Sequence, residues 1–150
     1  MPETVRALII VAALAASGLA VFVGRLSRLD PAGPDRLIAE LRFSQWMSLI
    51  LAATGGAWLG GAAIYAPAGF GGVEVALAVA TILVAAWTLQ TETRQSIVLL
   101  CVAFMMHALL DVGHRPGWLS DGLAPRWFTI GCAAYDVYLA ALCFWVQRRT

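Results

Sequence analysis

The residues best equipped for chemistry in this chain lie in His107-Ala-Leu-Leu-Asp111-Val-Gly-His114, at the end of an apolar run from Ile97 to Met106. These are its two histidines. On an unbroken helix, positions i, i+4 and i+7 fall within an arc of about 60°, so two imidazoles and a carboxylate share one face. Ionisable groups at membrane depth are costly and ordinarily face a bundle interior, a partner or a water-filled cavity. A fourth group comes from Cys132-Ala-Ala-Tyr-Asp136. Counting 1.5 Å per residue inward from Trp127 puts Asp136 about 14 Å deep, and counting back from Gly113 puts His107 about 9 Å deep. If the two helices are antiparallel neighbours, Asp136 reaches His107, while Thr129 and Cys132 on the same face lie near Asp111.

Three chemistries fit this set. In the first, His107, Asp111, His114 and Asp136 supply zinc ligands, three of them leaving a position for water, whose pKa the metal lowers to about 7. Whichever of Asp111 and Asp136 is spare then acts as general base. In the second, His107 and Asp136 relay protons inside the bundle. In the third, they form a buried pair that fixes helix register. Arg115 and Arg126 flank the loop over the cluster. A guanidinium there holds a phosphate or carboxylate, such as a lipid headgroup, or else snorkels to the interface.

Composition defines what must position these groups. The chain is 61% hydrophobic, 13% charged and of mean hydropathy +0.79, with a net charge of +1 that implies neither nucleic acid nor a strongly acidic partner, so no nucleic acid is expected. An all-α membrane bundle follows, because a bilayer offers no water to unpaired backbone groups. Residues 1–150 read as one domain with five spans: about 5–24, 43–65, 73–89, 95–112 and 127–146, the third and fourth near the short limit. The first is long for a signal peptide and is kept as a helix. The basic residues are all arginine and asparagine is absent, a bias of GC-rich bacterial genomes that points to the bacterial inner membrane.

Arg25, Arg28, Arg36, Arg42, Arg94, Arg148 and Arg149 fall on one side of these spans, against Arg6, Arg115 and Arg126 on the other. The positive-inside rule makes the richer side cytoplasmic, with the N-terminus outside, and puts the His/Asp cluster in the outer half of the membrane. Trp118 and Trp127 then mark the outer interface; Trp46, Trp87 and Trp145 mark the inner one. Residues 34–42 read as an interfacial helix or an extension of the second span, with Arg36 and Glu40 on a solvated face. In the second span Ala52, Gly56 and Gly60 recur every four residues, widened by Gly55 and Gly61, a groove for intramolecular packing or for a homodimer. Cys101, Cys132 and Cys143 offer no Cys-x-x-Cys pair, which argues against thiol exchange. Phosphate loops, nucleophile elbows and His-Glu-x-x-His helices are absent as well.

The His-x-x-x-Asp-x-x-His helix followed by Pro125-Arg-Trp-Phe and the Cys132-Ala-Ala-Tyr-Asp136 helix resembles a pattern in small bacterial integral membrane proteins, a likeness that covers about a third of the chain and implies no activity. More loosely, the chain is similar to the alkaline ceramidase and progestin-receptor superfamily of seven-helix membrane hydrolases, in which histidines and an aspartate hold zinc near one membrane face. It departs from them in its two histidines, its five predicted spans and its lack of a C-terminal His-x-x-x-His. That resemblance implies a zinc-dependent hydrolase of a lipid or amphiphile; the alternatives are a small transporter or relay protein, or a non-catalytic subunit of a membrane complex.

Overall fold

The structure is a computed structural model that describes residues 3–65, 72–114 and 125–148. Five helices follow one another: α1 (Glu3–Leu26), α2 (Pro34–Tyr65), α3 (Gly72–Thr88), α4 (Thr93–Gly113) and α5 (Arg126–Arg148). No strand occurs among the described residues. α1, α2, α4 and α5 are long and apolar enough to cross a membrane. α3 has 17 residues, about 25 Å at 1.5 Å per residue, and stands at the lower limit of a span.

Helix boundaries match the apolar segments to within a few residues except in α2, which begins at Pro34 rather than near Phe43. Proline suits a first helical position because its missing N–H is one that helix would leave unpaired anyway. Residues 34–42 are therefore a direct extension of α2. Their solvated face has to be corrected: Arg36 and Glu40 are each only 2% exposed. Arg36 pairs with Glu40 through Nε and donates from Nη1 to the Leu26 carbonyl at 3.0 Å, so it closes off the C-terminal end of α1. A guanidinium with several fixed donors can satisfy a carboxylate and a helix end together, which is what lets this charge be buried.

α4 packs most extensively on α5, and α2 on α3, with α2 and α4 joining the two pairs. The core between them holds Phe43, Met47, Leu51, Leu100, Phe104 and Leu139. Because lipid is as apolar as leucine, close packing and interhelical hydrogen bonds hold such a bundle. The Ser48 and Thr88 hydroxyls meet at 2.8 Å between α2 and α3. Cys101 Sγ donates to the Ala140 carbonyl at 3.4 Å between α4 and α5. α1 is the outlier: Leu8, Ile9, Ile10, Val11 and Leu14 are exposed, and Tyr138 of α5 tethers it through a hydroxyl donated to the Ala16 carbonyl at 2.7 Å.

The glycines of α2 also need correcting. A Cβ on Gly55 would meet Ile82 Cγ1 at 2.9 Å and the Ala78 carbonyl oxygen at 3.0 Å, whereas Gly56 and Gly60 have nothing within 4 Å. The intramolecular close approach runs through Gly55. Ala52 packs on the core while Gly56 and Gly60 are exposed, so the packing reading of these two glycines fails among the described residues.

Candidate metal centre

α4 and α5 run antiparallel and bring their polar residues to one level. His107 Nδ1 lies 2.8 Å from Asp136 Oδ2 across the helix pair and 3.8 Å from Asp111 Oδ2 one turn along α4. One ligand atom from each of the three residues lies within 4.8 Å of the others. All three side chains are buried: His107 is 5% exposed, Asp111 and Asp136 1% each. A carboxylate accepts only, so Nδ1–H donates to Asp136 and the imidazole is held in that tautomer. Cys132 lies close enough to both carboxylates to feel their charge, while the Thr129 hydroxyl turns back to donate to the Arg126 carbonyl at 3.1 Å.

The two aspartates differ. Asp136 has His107, whereas neither oxygen of Asp111 has a hydrogen-bond partner among the described residues. Trp58 of α2 approaches Asp111 as a donor but falls outside hydrogen-bond geometry. A buried polar group with no partner costs about 1 to 3 kcal/mol, more when charged, and such sites commonly mark an ion, a water or a catalytic role.

His114 stands apart from this trio. α4 stops at Gly113, and His114 follows as its C-terminal cap, its backbone N–H donating to the Leu110 carbonyl at 3.1 Å. Its Nδ1 donates to the same carbonyl at 2.7 Å, and its ring stacks on Trp58 with centroids 4.2 Å apart. His107 and His114 share a small cleft between α2, α3 and α4 with Trp58, Glu74 and Thr81. Arg126 is exposed at the start of α5. Arg115 and Trp118 lie outside the described residues, as do Arg149, the 66–71 turn and the loop from 115 to 124.

Trp58 and Glu74 are the participants that motif reading missed. Depth arithmetic could have found Trp58: it precedes Tyr65 by seven residues, about 10 Å of helix, which is the level of His107. Glu74 carried a weaker signal, as an acid in the first turn of α3 where the helix dipole favours negative charge.

The chain is thus an all-helical protein with membrane-span-like helices and a buried His/Asp/Asp group. No family model, no curated protein and no solved structure matches it. Its function is inferred from its own geometry.

Proposed function

We propose that this chain is a multi-pass protein of the bacterial inner membrane whose His107, Asp111 and Asp136 hold a divalent metal, zinc first among candidates, for hydrolysis of a lipid or amphiphile. The observation that carries the reading is the buried, partnerless carboxylate of Asp111 beside a His–Asp pair. Ligands at 2.0–2.2 Å in a tetrahedron around zinc would stand about 3.3 to 3.6 Å apart, and the 2.8 and 3.8 Å separations at Nδ1 bracket that range. A metal held at Nδ1 would displace the proton shared with Asp136 to Nε2 of the same ring.

Such a metal would supply an activated water, and the oxygen of Asp111 left free of it would act as the proton acceptor. His107 also lines the neighbouring cleft. Arg126 at the same end of the bundle suits the anionic part of an amphiphile. The arginine distribution supports an N-terminus outside and a C-terminus in the cytoplasm, which a C-terminal reporter fluorescent only in the cytoplasm checks.

Metal analysis of detergent-purified protein tests the centre. We expect close to one metal per chain in the wild type, little in His107→Ala or Asp111→Asn, and full content in His114→Ala because His114 lies outside the trio. Metal-free wild type under zinc-replete conditions overturns the reading. The proton-relay alternative then stands on the direct 2.8 Å contact between His107 and Asp136.

A further inference from the structure

The cleft between α2, α3 and α4 differs in chemistry from the His/Asp/Asp group next to it. Its polar wall is made of Glu74, Thr81, His107 and His114, bordered by Trp58 and otherwise by apolar residues of α3 and α4. Two of these residues direct their hydrogens away from it. His114 Nδ1 donates to the Leu110 carbonyl, leaving Nε2 as a bare lone pair that is buried and has no hydrogen-bond partner among the described residues. The Thr81 hydroxyl donates to the Leu77 carbonyl at 2.9 Å, leaving its lone pairs. Glu74 is 6% exposed and makes no hydrogen bond or ion pair with a described residue. Among the described residues no arginine lines the cleft.

Such a wall presents acceptors and a carboxylate, and it selects its occupant by charge and by hydrogen count. An anion meets Glu74. An apolar group leaves Glu74 and His114 unpaired and unsolvated. Water supplies two donors and leaves the carboxylate charge uncompensated. Sodium prefers all-oxygen surroundings to an imidazole nitrogen. The cleft has room for a water-sized group, which a terminal –NH3+ matches with three donors and one positive charge. Trp58 on its border has the side-chain ring that attracts cations best.

We propose that this cleft binds a primary ammonium group, presented by a small free amine or by the amine of a lipid headgroup. The site depends on Glu74 and His114, neither of which belongs to the candidate metal centre. A chain that holds no metal therefore still binds the amine, and the two readings fail separately.

The test uses full-length protein in detergent, titrated with methylammonium chloride and followed by calorimetry and thermal unfolding. Tetramethylammonium and sodium chloride at equal ionic strength serve as controls. Saturable binding is expected for methylammonium alone, with the midpoint weakened about tenfold or more in Glu74→Gln and in His114→Ala. Size-exclusion profiles of the variants establish that they remain folded, and if Glu74→Gln does not fold, His114→Ala and the wild-type controls carry the test. Mixed micelles separate the sources: tighter binding of phosphatidylethanolamine than of phosphatidylglycerol identifies a lipid amine, and a response to methylammonium alone identifies a free one. Equal responses to tetramethylammonium, unshifted midpoints in the folded variants, or no saturable response to either source overturn the proposal.

Discussion

Where α1 ends and α2 begins, Arg36 and Glu40 are buried against each other and against the Leu26 carbonyl, and the guanidinium has partners on both sides. Towards the other end of the bundle Asp111 is as deeply buried, yet neither of its oxygens has a hydrogen-bond partner among the described residues. Both regions put charge where water is scarce. In the first, local geometry satisfies the charge, as expected of a structural clamp. In the second, part of the hydrogen-bonding capacity is left over, as expected of a place that receives something. The contrast teaches that satisfaction, more than burial, separates a structural charge from a receptive one.

The largest effect should come from breaking the satisfied pair. Arg36→Leu leaves Glu40 buried without its counter-charge and should cost about 3 to 5 kcal/mol, read as a lower unfolding midpoint in detergent. Replacing both residues with leucine should recover much of that loss. Asp111→Leu in metal-free protein should do the opposite, neutral or stabilising by up to about 1 to 3 kcal/mol, because it removes unsatisfied acceptors. An Asp111→Leu variant as damaged as Arg36→Leu would erase the distinction between the two regions.

A smaller effect sharpens the boundary within the second region. Asp136 is bonded to His107 and Asp111 is not, so a double-mutant cycle of His107→Ala with Asp136→Asn should show coupling of about 1 to 2 kcal/mol. Additive losses would mean that the 2.8 Å contact contributes no net stability and that nothing fixes the imidazole tautomer.

The smallest effect concerns how the region is held in place. Gly55→Ala forces Ile82 and the Ala78 backbone of α3 away from α2, at a cost of about 1 to 3 kcal/mol that the better helix propensity of alanine, about 1 kcal/mol, partly offsets. Gly56→Ala meets nothing and should be neutral or slightly stabilising. Equal responses at the two positions would return the α2–α3 contact to the four-residue repeat.

Helix number, approximate boundaries and the partnership of His107 with Asp136 were legible in the sequence, because each depends on a local quantity: the length of an apolar run, the angle between positions four apart, or the depth of a residue counted along a helix. The pairing survived because a 1.5 Å rise per residue makes depth additive, and two helices joined by a short connection run side by side. Arg36 and Glu40 misled for the complementary reason. Their i, i+4 spacing is the same on a solvated face as on a buried one, and only the approach of the Leu26 carbonyl from α1 made burial tolerable. Gly55 and Gly56 differ by 100° around one helix, and only the position of α3 decides which of them faces a backbone. Trp58 lies two helices before the histidines and Glu74 some thirty residues before His107 at the far end of the adjacent α3, so their meeting in the cleft was decided by tertiary packing. Local periodicity thus determined which residues each helix presents, and packing between helices decided which of those groups find a hydrogen-bond partner among the described residues and which do not.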